Sequence, residues 1–141
     1  MKHIYWMLAA LTLFVGCSKM STSTYSIVLD QDYHDLLMER VEFQGDKFLK
    51  TDVFVYEYSQ GHQISSHKFE DIQPGIAYKH NAMPESEYIT VRVDYTRDQY
   101  QDFSSPFHET WYLPTSFLLQ DGKATNITID KDTQLAEEEP R

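Results

Sequence analysis

The stretch "EYITVRVDYT", residues 87–96, decides the fold. Ile89, Val91, Val93 and Tyr95 alternate with Tyr88, Thr90, Arg92 and Asp94, so one side is apolar and the other polar or aromatic. A period of two marks a half-buried β-strand, because successive side chains point to opposite faces of a sheet. β-branched and aromatic residues fill the stretch, as a pleated surface prefers.

The same period recurs on either side. "TYSIVLD" (24–30) sets Tyr25, Ile27 and Leu29 against Ser26, Val28 and Asp30. "TDVFVYEY" (51–58) places Val53 and Val55 on one side and Phe54, Tyr56 and Tyr58 on the other, and "NITID" (126–130) turns Ile127 and Ile129 inward. Turn signals at Gln44-Gly45-Asp46, Gln60-Gly61-His62, Pro74-Gly75 and Asp121-Gly122-Lys123 separate the apolar runs. "FLLQDGKATNITI" (117–129) predicts a hairpin in which Phe117–Leu119 pair with Ile127–Ile129. "DYHDLLMER" (32–40) has two readings. Either Asp32 caps a short helix carrying Leu36, Leu37 and Arg40, or Leu37, Val41 and Phe43 belong to a strand; the run into "VEF" before a turn favours the strand. "QLAEEEPR" (134–141) has no apolar pattern and predicts a disordered acidic tail. About seven short strands spaced by turns imply an all-β chain, an antiparallel β-sandwich occupying residues 25–133.

The N-terminus has a different character. Lys2 and His3 precede twelve mostly apolar residues, Ile4 to Val15, the pattern of an export signal. As a helix they would reach only about 18 Å, short of a hydrocarbon core of about 30 Å, so a removed signal is expected rather than a membrane span. The formal charge of −10 becomes one more negative when Lys2 leaves with residues 1–16. That balance argues against nucleic acid and against docking on anionic lipid. The one cysteine, Cys17, ends the apolar run, and an unpaired thiol is an anomaly in an exported chain.

Phe14-Val15-Gly16-Cys17, with Leu13 ahead, resembles the bacterial lipoprotein signal, or lipobox. The resemblance implies cleavage between Gly16 and Cys17, diacylglyceryl transfer to the Cys17 sulfur and acylation (commonly palmitate) of the new amine. Residues 17–24 then form a lipidated, flexible tether. Ser18 is not the Asp that retains enterobacterial lipoproteins at the inner membrane, which implies an outer-membrane destination; the membrane face stays open. The strand "DVFVYEYSQG", the loop "AMPES" and the strand "EYITVRVDY" together resemble the transthyretin-like domains of Bacteroidetes fimbrial anchor and minor-subunit lipoproteins. This implies a transthyretin (prealbumin)-like arrangement, with an immunoglobulin-like sandwich as the alternative.

Chemistry-bearing constellations are sparse. His34, His62, His67, His80 and His108 show no HExxH or tight triplet, so they are expected to be solvated loop histidines, and no metal site or cofactor is predicted. "DQDYHD" (30–35) lacks the glycine and closing Glu of a calcium loop and reads as a turn or helix cap. There is no GxSxG or SxxK, and the Tyr-Arg-Gly-Ser ending of transthyretin-like hydrolases is missing, so no catalytic residues are assigned and a hydrolase is the least favoured alternative. In "RDQYQDFSSPFHETWYLP" (97–114), Tyr100, Phe103, Phe107 and Trp111 recur at three- and four-residue steps that would align them along a short helix. They form either a buried cover or a binding surface. The expected function is a non-catalytic, lipid-anchored envelope module with a protein partner, possible association with fimbriae included. The alternative is a glycan or small-molecule binder that uses the 100–111 aromatics.

Overall fold

A computed structural model describes residues 22–98 and 107–141. Its elements are β1 (Thr24–Leu29), α1 (Gln31–Phe43), β2 (Lys47–Ser59), β3 (His62–Phe69), β4 (Ala77–Asn81), β5 (Tyr88–Asp98), β6 (Phe107–Tyr112), β7 (Phe117–Leu118) and β8 (Ala124–Ile129). They form two sheets, β4-β1-β8 and β3-β2-β5-β6, with β7 paired to the start of β5. The alternating residues behave as their period requires. Tyr25, Ile27, Leu29, Val53, Val55, Ile89, Val91, Val93, Ile127 and Ile129 are buried and form one core, so the chain is an all-β sandwich, with one helix among the described residues.

Several local expectations are corrected. Residues 31–43 are helix, not strand: Tyr33, Leu37 and Val41 recur every four residues and are buried, whereas Phe43, which a strand would put on their side, is 93% exposed. Asp30, rather than Asp32, is the cap; its Oδ1 accepts from the Gln31 N–H at 2.9 Å and its carbonyl accepts from His34 at 3.1 Å. The helix ends where Gly45, at φ 80°, donates to the Glu42 carbonyl and Asp46 donates to that of Val41. This paired arrangement needs the left-handed backbone that glycine supplies.

The predicted hairpin across Asp121-Gly122 does not form. Leu118 and Phe117 pair with Tyr88 and Ile89 of β5, while β8 crosses to the smaller sheet and runs parallel to β1 from Thr24↔Ala124 to Leu29↔Ile129. The smaller sheet is therefore mixed, not purely antiparallel. Local turn chemistry reverses a chain but does not choose its sheet; here Ile127 and Ile129 gain burial opposite Ile27 and Leu29.

The tail is docked rather than disordered. Ala136 and Tyr112 exchange two 2.8 Å backbone hydrogen bonds, and Leu135 packs on the core. Glu139 accepts from Thr90 Oγ1 at 2.7 Å and from the Tyr58 hydroxyl, supplying an acceptor where Thr90 is only 1% exposed. Such specific partners outweigh the tail's acidic composition.

Candidate functional site

The candidate site lies where side chains of α1 share a recess with Tyr95 of β5 and Trp111 of β6. The cap at Asp30 sets the helix so that Tyr33, Leu36, Leu37 and Arg40 descend one side at three- and four-residue steps. They face Tyr95 of β5 and Trp111 of β6, and the segment after β8 closes the remaining side with Lys131, Thr133 and Leu135. The recess measures about 230 Å³. Tyr33 is buried, which pushes its phenol up to about 12 against the opposing pull of the nearby Arg40 cation. An adjoining acidic groove holds Asp32, Asp35, Glu39 and Asp132 and shares Lys131 with the recess.

Of the aromatics singled out from the sequence, Trp111 forms part of this recess. It is half-buried, reaching it from strand β6 opposite Val93, so residues 107–112 do not continue the helical alignment expected for 100–111. Phe107 belongs to β6 in register with Arg97. Tyr100 and Phe103 lie outside the described residues, as do Gly16 and Cys17. Arg40, Tyr95 and Lys131 were not singled out as ligand-facing. They come from three distant segments, and no local spacing could have joined them.

A second cluster closes the opposite side of the sandwich, where β3 and β4 end their sheets. His67 of β3 and His80 of β4 stack with centroids 3.6 Å apart and planes at 11°, so these two are strand residues bridging the sheets, not solvated loop histidines. Phe69 meets the His67 ring edge-on, and Tyr25 tilts against His80. Beneath them lies Glu57, fully buried and in phase with Val53 and Val55 at the bulge where β2 slips against β3. Its Oε1 accepts from the Met83 N–H and from Ser86 Oγ, both at 2.6 Å, which ties the loop before β5 to the core. The Tyr25 hydroxyl and Glu57 Oε2 close no hydrogen bond with any described group. Burial, then the Glu57 carboxyl beside it, pushes the Tyr25 phenol up.

His67 titrates below the usual histidine range, chiefly because it is partly withdrawn from water and next because His80 lies against it; Glu57 opposes both. The folded state therefore favours neutral His67, and the unfolded state takes up its proton first as pH falls. Stability is expected to be full above about pH 6.5, the unfolded histidine value, and to decline as pH drops from there through the folded value. Urea midpoints for the native chain and His67→Gln across pH 7.5 to 5 check this: the substitution should flatten the slope, and an equal slope in both would refute it.

The remaining cluster lies on the outer face of the larger sheet, where Asp52 and Asp94 stand opposite one another in register. Arg92 grips Asp94 with two bonds, Nε–Oδ1 at 2.8 Å and Nη2–Oδ2 at 2.6 Å. It also donates to the Tyr56 hydroxyl at 3.1 Å and lies 4.7 Å from the Phe54 ring centre. Lys50 and Lys68 approach Asp52 at 3.4 and 3.8 Å.

Among the described residues, no group of three or more His, Cys, Asp or Glu side chains is placed to hold a metal ion, and no helix is long and apolar enough to cross a membrane. The chain matches no protein-family model, no curated protein and no solved structure.

Proposed function

We propose that this chain is a lipid-anchored cell-envelope protein that works by binding a small molecule in the recess between α1 and the larger sheet, without catalysing a reaction. The observation that carries this reading is the recess itself: Trp111 and Tyr95 from the sheet meet Tyr33 from the helix around a concavity with two cationic side chains on it. Concave, largely apolar sites with a few polar groups are where small ligands bind. Among the four aromatics of the 100–111 segment, Trp111 thus favours a binding surface over a mere cover. Saturation-transfer NMR of the full chain with a small-molecule library tests it. Hits should compete with one another and vanish in Leu36→Arg, which crowds the recess from a position already 43% exposed. Hits that persist unchanged in that variant would remove the recess from consideration.

The anchoring half of the proposal rests on the resemblance of Phe14-Val15-Gly16-Cys17 to a lipobox and on the short apolar run before it. Lipidation of Cys17 would hold the domain at the outer membrane, since two or more acyl chains anchor durably where one does not. Cys17→Ser is expected to move the protein from the detergent phase to the aqueous phase on phase partition and to abolish palmitate labelling. Retention in the detergent phase would sink the lipid anchor.

A second reading, a protein-interaction module of the kind found with fimbriae, is favoured by one feature. The neighbouring edges β3 and β4 lie beside exposed apolar side chains at Ile64 and Met83, which border a common groove with His62 and Glu85. An added strand from a partner would pair with such an edge.

A further inference from the structure

We infer that the recess at Trp111 takes a small organic monoanion: a carboxylate carried on a single aromatic ring or an aliphatic body of similar size. This rests on the binding reading above and adds the ligand's chemical class.

The donor and acceptor inventory of the walls separates the candidate ligands. Among the described residues, the charged groups that line the recess are both cations, Arg40 and Lys131, and the hydroxyls there are the phenols of Tyr33 and Tyr95 and that of Thr133, which already donates to Asp130 Oδ1 at 3.1 Å. Among the described residues, no Asp, Glu, Asn or Gln lines it. A sugar ring presents many hydroxyl donors that need acceptors, and a buried donor without one costs affinity. A carboxylate needs only donors, which this recess has. Arg40 and Lys131 make no salt bridge with a described carboxylate, and the Arg40 guanidinium is a planar fork that suits two carboxylate oxygens at once.

Charge number follows from the neighbouring groove. Asp32, Asp35, Glu39 and Asp132 line that groove together with Lys131 and lower the positive potential on its side of the recess. Arg40 is therefore the principal anchor, and the nearby acids oppose a second negative charge on the ligand. A monocarboxylate fits this field better than a phosphate dianion does. Size follows from the volume: a cavity of about 150 Å³ holds benzene, so about 230 Å³ accommodates a ring with its acid group. Tyr33, Tyr95 and Trp111 supply faces for that ring, and Leu36, Leu37 and Leu135 supply the apolar remainder.

Isothermal titration of the full-length chain in detergent tests this with phenylacetate, its neutral isostere phenylacetamide, phenyl phosphate and glucose. Phenylacetate should bind about tenfold or more tighter than the amide, the difference expected of one charge-assisted contact. It should also surpass phenyl phosphate and glucose, and raised salt should weaken it. Arg40→Gln, at an exposed position, should bring phenylacetate down to about the level of the amide and weaken the amide far less. Equal binding of acid and amide, a preference for the phosphate or the sugar, or an unaltered preference in Arg40→Gln would overturn the monoanion assignment and leave the binding reading standing. If none of the four probes binds, or if their binding is untouched by Leu36→Arg, the assignment falls together with the recess as a site.

Discussion

Glu57→Ala is expected to destabilise the domain by about 3 kcal/mol or more, the range for breaking a buried, hydrogen-bonded polar centre. Two losses combine. The Met83 N–H and the Ser86 hydroxyl lose an acceptor that each meets at 2.6 Å, and the truncated side chain leaves a hole in a wall where Glu57 is 0% exposed. Glu57→Gln is the informative contrast. It keeps Oε1 for both donors and turns an amide donor toward the Tyr25 hydroxyl beside it, so its cost should be less than half that of the alanine. Urea unfolding of both variants checks the order. Hydrogen exchange at Met83 checks the cause, since only the alanine should speed it. If both variants lost the same stability, Glu57 would be serving as bulk rather than as an acceptor.

Arg92→Ala is the second large effect, expected at about 2–3 kcal/mol. Breaking a buried pair by removing one partner costs about 3–5 kcal/mol, and this pair merits less because the Arg92 side chain is 28% exposed and partly screened. The register explains why one cation matters so much. Asp52 and Asp94 are 5% and 7% exposed and stand directly across the β2–β5 ladder, an arrangement of like charges that a sheet tolerates only when each is compensated. Asp52 has Lys50, Lys68 and the Asp71 N–H at 2.8 Å, whereas the only salt bridge to Asp94 among the described residues is that from Arg92. Arg92→Lys should recover little, because a point charge cannot reproduce the two parallel bonds together with the contact over Phe54. Adding Asp94→Asn to Arg92→Ala should restore about half of the loss by removing the stranded carboxylate. A double variant no more stable than the single one would show that the loss came from packing on Phe54.

The strands were legible because period two is a local property: Val91 and Val93 announce their side without reference to any other segment. Glu57 was legible in principle, since it keeps phase with Val53 and Val55. A charged residue in an inward slot was a signal of a buried acceptor that went unread. Helix and strand both fit residues 32–40, and the run into "VEF" before a turn tipped the balance to the strand, although Phe43 sits in solvent at the helix end. The path of β8 and the docking of the tail were beyond local reading. Nothing near Asp121-Gly122 distinguishes a return to β7 from a crossing to β1, and nothing in "QLAEEEPR" shows that Thr90 and Tyr58 need an acceptor. The recess is the extreme case. Trp111 carried an aromatic signal, but Arg40 and Lys131 acquire meaning only when α1 and the segment after β8 meet beside it.

The parallel pairing of β1 with β8 also determines when the molecule becomes whole. Ser26 and Asn126, 100 residues apart in sequence, are joined side chain to side chain at 2.6 Å within that pairing. Closing so wide a span is entropically slow to begin, and chains dominated by such distant pairings fold in about milliseconds to seconds rather than microseconds. Until Ala124 and the residues after it are available, β1 has β4 on one side and an open edge on the other. Ile127 and Ile129 are then missing from the core. Strand β1 thus waits for β8, and the sandwich stays unfinished until Ala124–Ile129 have been added.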